Sequence, residues 1–203
     1  MKQDGWQTIS SERNFANKHL EVVTDSVQSP TQAKPHSWTT VRRKAAVIVA
    51  PMTRDEKIVL IRQERVPIRS TIWEMPAGQI DDVAFGGSEP SSSGQESAKE
   101  VALRELREET GYELAKDGEL IAFGHYFSSP GFTDEFGYLF LARAVEPCAG
   151  GDAHEETESI LDCRAFSVPE ICRMIAENEI RDASTLGMCA RLAARGFISL
   201  APR

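Results

Sequence analysis

Cysteine is scarce in this sequence. Cys148, Cys163, Cys172 and Cys189 are the only four, and none belongs to a C-x-x-C pair. Their spacings of 15, 9 and 17 residues fit neither a zinc ribbon nor a dithiol redox motif, so free thiols in a reducing setting are expected. Long apolar runs are missing as well. The longest, Ala45 to Met52, is far below the roughly 20 residues that a bilayer-spanning helix needs. Met1 to Leu20 is polar, with Asp4, Glu12, Arg13 and Lys18 where a secretory leader would be apolar. A soluble, cytoplasmic protein with no membrane partner is expected. Basic charge is also short: 23 Lys and Arg face 31 Asp and Glu, for a net −8. That balance argues against a broad nucleic-acid surface, which needs a basic face. It leaves open what so many carboxylates do.

The 203 residues suffice for one core with an accessory piece. Residues 1–42 read as an arm: alternation over His19–Val27 and again from Trp38 to Arg43 predicts two strands around a Ser29-Pro30 turn. Two strands cannot bury a core, so the arm must dock on something. Residues 43–203 read as the main domain. Lys44–Ala50 is a continuous apolar run, as in a strand buried on both faces, and Ile58–Gln63 looks like its hairpin partner. Asp81 to Gln95, rich in Gly, Ser and Asp, reads as a loop. Further strands are expected at Glu119–Tyr126 and Glu135–Val145, and helices at Val168–Glu177 and from Asp182 or Ser184 to Ala194.

The informative segment runs from Glu96 to Tyr112. Ala98, Val101, Ala102 and Leu106 form a helical stripe, and Gly111 sits where a helix ends. On that helix Glu105, Glu108 and Glu109 fall at i, i+3 and i+4, three carboxylates on one face near the C-terminus. Mutual repulsion and the macrodipole each oppose this by a few tenths of a kcal/mol, up to about 1. Arg104 and Arg107 can offset it locally, as on an ordinary solvated face. A divalent cation would instead turn the cost into affinity, and oxygen donors without His or Cys point to Mg²⁺ or Mn²⁺.

The spacing here resembles the Nudix hydrolase box, G-x5-E-x7-R-E-U-x-E-E-x-G-U, with U a bulky apolar or aromatic residue. Glu96, Arg104-Glu105-Leu106, Glu108-Glu109, Gly111 and Tyr112 match it in type and spacing. The leading glycine is matched by Gly78, but 17 residues separate it from Glu96 instead of five, a 12-residue insertion within roughly Asp82 to Gln95. Flanking stretches resemble the ADP-ribose pyrophosphatase branch. These are Ile61-Arg-Gln-Glu-Arg65, Trp73-Glu-Met-Pro-Ala-Gly78, the Ser128–Glu135 loop and the Asp182-Ala-x-Thr185 helix start. Glu64 stands where that branch has an aromatic.

The resemblance implies an α/β fold, the α/β/α Nudix sandwich with a mixed sheet, to which the N-terminal β arm adds strands. It implies metal-dependent hydrolysis of the diphosphate of ADP-ribose, or of a related nucleoside diphosphate sugar, to AMP and ribose 5-phosphate. Glu105, Glu108 and Glu109 become metal ligands by the same resemblance, with Glu96 acting at longer range or through water, and the Ala77 carbonyl joins them. Arg104 would orient carboxylates, Glu135 would accept the proton of the attacking water, and Glu108 stays a second catalytic candidate. Arg65 and Gly131 are implied as substrate-binding, and Trp38 as a platform for the adenine. The branch further implies a homodimer joined through the arm. Two alternatives remain: a pyrophosphatase for another sugar such as GDP-mannose, and a silent nucleotide-sugar sensor. A sensor would be expected to lose ligands, and here every implied acid is present.

Overall fold

The computed structural model describes residues 5–80, 92–149 and 159–200, with backbone alone for 92–97. The 12-residue insertion falls largely outside the described residues. In chain order the strands are β1 (Gln7–Ala16), β2 (Leu20–Gln28), β3 (His36–Arg43), β4 (Ala46–Thr53), β5 (Ile58–Arg65), β6 (Ser70–Glu74), β7 (Ala77–Gln79), β8 (Tyr112–Phe127), β9 (Phe136–Pro147) and β10 (Ile160–Phe166). The helices are α1 (Ser92–Thr110), α2 (Val168–Ala176) and α3 (Ala183–Ala194).

Two sheets result. The arm is a three-stranded antiparallel meander, β1-β2-β3. It has one strand more than the sequence pattern suggests, because every residue of β1 is exposed and so carries no period-2 contrast. The main sheet has the order β10-β5-β4-β9-β8, with β6 on β5 and β7 on β4. It is mixed, since β4 and β9 run parallel while its other pairs are antiparallel. The expected β4–β5 hairpin is reduced to its turn: Met52 faces Ile58, and farther along the strand β7 takes the place of β5.

Alternation along the central strands loads both faces. Ile48, Ala50, Met52, Leu139 and Leu141 join Ile171, Met174, Met188 and Leu192 of α2 and α3. Val47, Val49, Val59, Phe140 and Ala142 join Ala98, Ala102 and Leu106 of α1. A sheet buried on both faces between helices is the α/β/α sandwich.

Local chemistry fixes the helices. α1 begins four residues before Glu96, so Ser92–Gln95 belong to the helix and not to the loop. It stops where Gly111 adopts φ +68°, open to glycine at no steric cost, and its N–H bonds Arg107 O at 3.0 Å. α2 opens on a Ser167/Glu170 capping box. α3 opens on Asp182, whose carboxylate accepts the Thr185 N–H at 2.7 Å. The buried Thr185 hydroxyl in turn accepts the Met75 N–H at 2.9 Å, which pins the Trp73–Gly78 stretch from beneath. The four cysteines are free thiols, and burial pushes Cys189 up to about 12. Among the described residues no helix is long and apolar enough to cross a membrane.

Candidate active site

A pocket of about 580 Å³ opens where α1, β7 and the loop before β9 converge, walled by Ala77, Gly78, Arg104, Glu105, Glu108 and Glu135. Arg65 from the end of β5 and His19 and Arg43 from the arm complete its rim. Residues that lie up to 116 positions apart in sequence, from His19 to Glu135, thus meet in one cleft.

Its floor is the carboxylate face of α1. Glu105 and Glu109 are 5% and 1% exposed, an unusual depth for acids. Glu109 Oε2 accepts the Ala77 N–H at 2.8 Å, which locks β7 to the helix. Gly78 is required beside it. A Cβ there would lie 2.6 Å from Glu105 Cγ and would overlap the carboxylate outright. The leading glycine, separated from the helix by the insertion, therefore closes on the helix in space. Arg104 spans the group, with Nη2 at 2.7 Å from Glu105 Oε1 and Nε at 3.5 Å from the half-exposed Glu108. Glu96 lies on α1, and its side chain is outside the described residues.

Glu135 reaches the pocket from the loop before β9. Ser128 Oγ donates to its Oε2 at 2.8 Å, and Arg43 Nε stands 2.9 Å from its Oε1. On the rim, Arg65 Nε donates to Glu74 Oε1 at 2.9 Å. Trp38 lies elsewhere. It is 58% exposed, lines a separate arm pocket of about 880 Å³, and donates its indole N–H to Gly131 O at 3.1 Å. Within one chain, Trp38 and Gly131 touch each other and stand off the carboxylate pocket. A Cβ at Gly131 would meet nothing, so the carbonyl is what this residue contributes here.

Sequence reasoning passed over Arg43, His19, Gln79 and Glu74. Glu74 lay within a quoted motif, and its burial was the missing signal: it is 2% exposed. That burial pushes its carboxyl up to about 7, against the pull of the Arg65 guanidinium. Because the folded form binds this proton more tightly than the unfolded chain, its stability contribution is whole below pH 4.5. The contribution is lost as pH rises towards 7, in total about 3 kcal/mol. Urea unfolding of wild type and Glu74→Gln at pH 5 and pH 8 should show a larger alkaline loss in wild type. Equal losses in the two proteins would exclude Glu74 as its source.

As a metal site, the donor set is hard and all oxygen. Among the described residues no three His, Cys, Asp or Glu side chains are drawn together as a ready-made cage. The buried Glu105 and the half-buried Glu108 line the cleft, with the buried Glu109 on the same helix face. That matches the way Mg²⁺ is held, by one or two carboxylates with substrate phosphate and water completing the shell. The residues fit a divalent cation.

The model of the NUDIX domain matches residues 42–186. The chain belongs to the Nudix family. It is 31% identical over 185 residues to an ADP-ribose pyrophosphatase of Bacillus subtilis (strain 168), covering 91% of both chains. It is 32% identical over 180 residues to a methanol dehydrogenase activator of Bacillus methanolicus, covering 89% of this chain and 88% of that one. A solved structure, the crystal structure of an ADP compounds hydrolase, superposes with a TM-score of 0.73 over 96% of this Nudix chain and 97% of its own. At 17% identity that likeness speaks to the fold, and it agrees with the mixed sheet between helices.

Proposed function

We propose that this Nudix enzyme hydrolyses the diphosphate of ADP-ribose, adding water across the P–O–P bridge to give AMP and ribose 5-phosphate. The observation that carries the reading is a cleft lined by Glu105, Glu108 and Glu135 and rimmed by Arg65 and Arg43, with the buried Glu109 one helical turn from Glu105. The likeness to the Bacillus subtilis pyrophosphatase over nearly the whole chain supports the choice of substrate. Glu105 and Glu109, with Glu108, Glu96 and the Ala77 carbonyl, would hold the divalent cation, which we take to be Mg²⁺ or Mn²⁺. The chemistry a cation supplies there is neutralisation of the diphosphate oxygens.

The chain's own residues do the rest. Arg104 orients Glu105 and Glu108 and offsets their mutual repulsion through charge-assisted contacts. Arg65, held by Glu74, presents its fork to a phosphate. Glu135 accepts the proton of the attacking water.

Trp38 would stack on the adenine from a neighbouring copy of the chain. A homodimer joined through the arm is supported by its exposed Trp6, Ile9 and Phe15, apolar side chains that a single chain leaves in water. Free thiols fit a cytoplasmic setting. The test is a panel of ADP-ribose, GDP-mannose and other nucleoside diphosphate sugars with Mg²⁺, run on material whose mass is measured by sedimentation. ADP-ribose should rank first, with AMP released, from a dimer. Binding without turnover would sink the enzyme reading, and a sedimenting monomer would sink the assembly.

A further inference from the structure

β5 and β6 carry a second gathering of charge, on the face that does not hold the Arg65–Glu74 pair. Their register sets Arg62 opposite Trp73 and Glu64 opposite Thr71, while Arg65 and Glu74 belong to the other face, at the cleft rim. Arg62 Nη2 donates to Thr71 Oγ1 at 3.3 Å. A parallel bridge between Trp73 and Ile180 brings Arg181 alongside. Arg181 Nη2 donates to Ser70 Oγ at 3.3 Å and to Thr71 O at 3.5 Å. Two exposed guanidinium groups thus converge on one dipeptide in a chain of net charge −8.

The acids beside them are engaged elsewhere. Glu64, directly across from Thr71, accepts from the Ser159 hydroxyl at 2.7 Å, on the β10 side. Asp162 pairs with Arg164, and Glu179 with Arg173. Asp182 accepts the Thr185 N–H at the start of α3. Among the described residues neither Arg62 nor Arg181 has a carboxylate partner. Like charges left together repel, and an anion between them would remove that cost. Thr71 Oγ1 accepts from Arg62 and so keeps its own proton for a further acceptor.

We propose that Arg62, Arg181 and the Thr71 hydroxyl form a site for a phosphate group, separate from the cleft and open to a phosphate monoester or to free phosphate. The donor set selects the anion. Guanidinium forks match phosphate oxygens bidentately, and a phosphate monoester carries about −1.5 to −2 charge at pH 7. Its terminal oxygens can take up two forks and a hydroxyl together, where a carboxylate has fewer acceptors to offer. The site stands whether or not the cleft hydrolyses ADP-ribose, because its test reads binding alone.

That test is titration calorimetry on the full chain, freed of divalent cations and at low ionic strength, with inorganic phosphate, ribose 5-phosphate, AMP and acetate. Phosphate should bind saturably, and acetate about tenfold more weakly or worse. Arg62→Gln and Arg181→Gln should each weaken phosphate binding about tenfold or more, and Thr71→Val about fivefold. Arg62→Lys should keep part of the affinity, since it has the charge without the fork. These positions are exposed or half-buried, so each variant should unfold at the wild-type Tm. Tighter binding of ribose 5-phosphate and AMP would name monoesters as the ligand, and tighter binding of inorganic phosphate the free ion. Both uphold the site when Arg62→Gln weakens them. Affinity that survives in the Arg62→Gln/Arg181→Gln double variant and falls in Arg65→Gln would put the phosphate in the cleft and overturn the proposal. So would acetate binding as tightly as phosphate, or the lack of saturation in every titration.

Discussion

Replacing Glu109 by glutamine is expected to cut kcat/KM about a thousandfold while leaving the fold as stable as before or more so. The two effects separate because Glu109 serves two purposes. Its Oε2 accepts the Ala77 N–H, a bond that a glutamine carbonyl oxygen can also accept, so β7 stays tied to α1. Its charge, however, is 1% exposed and one helical turn from the equally buried Glu105. In the absence of cation, two like charges at i, i+4 oppose folding by a few tenths of a kcal/mol, more where water is excluded. Glutamine removes that cost. In the proposed site the same charge would hold the cation, which would neutralise the diphosphate oxygens, a contribution of several kcal/mol. About 4 kcal/mol corresponds to the thousandfold loss.

Binding supplies a second readout that does not depend on turnover. A ligand that binds only the folded state raises its melting temperature, so millimolar Mg²⁺ should raise the Tm of wild type and raise that of Glu109→Gln much less. A variant that keeps activity within tenfold, or a Tm that responds equally to Mg²⁺ in both proteins, would show that this carboxylate pair is not the metal site.

How much of this was written in the sequence depends on the range of each contact. α1 was legible because its apolar stripe repeats every three to four residues, and because the box fixes Glu105, Glu108 and Glu109 by local spacing alone. Its start was less legible: Ser92 to Gln95 are Ser, Gly and Gln, residues whose pattern resembles a loop even where the helix has begun. β1 gave no signal, since an all-exposed strand has no hydrophobic alternation to read. The reach of β8 back to Tyr112 was hidden by Lys116-Asp117-Gly118, where register shifts interrupt its pairing with β9. β10 carries Asp162 and Arg164 among its apolar residues and followed a stretch without periodicity.

The site divides in the same way. Gly78 could be matched to the box by type, but only its closeness to Glu105 explains why the residue must be glycine and why the insertion is tolerated. Loop closure costs grow only logarithmically, so added residues between two well-anchored ends leave the anchors in place. The Arg43–Glu135 and Arg65–Glu74 pairs had no sequence signature. In each, the arginine's role is set by a partner on another strand or loop, and the depth of Glu74 is a property of packing that no spacing rule carries.

The second large effect is expected at Glu135, and it should differ in kind from the first. Glutamine at this position keeps the size of the side chain and can still accept from Ser128 Oγ, so the loop from Ser128 to Glu135 should hold its shape. If Glu135 is the base proposed above, what is lost is the capacity to take a proton from water, which contributes about 10² to 10⁴ in rate. Glu135 reaches the cleft from the loop before β9, not from α1, and is paired there with Arg43 and Ser128. Its removal should therefore leave cation binding intact. Glu135→Gln should show a kcat reduced at least a hundredfold, a KM near that of wild type, and a full Tm response to Mg²⁺. Glu109→Gln should show the opposite Tm behaviour. Glu108 is the competing candidate, because it too lines the cleft and is half-exposed, with its charge offset by Arg104 at 3.5 Å. Should Glu135→Gln retain kcat while Glu108→Gln loses it, the proton passes to the helix and not to the loop.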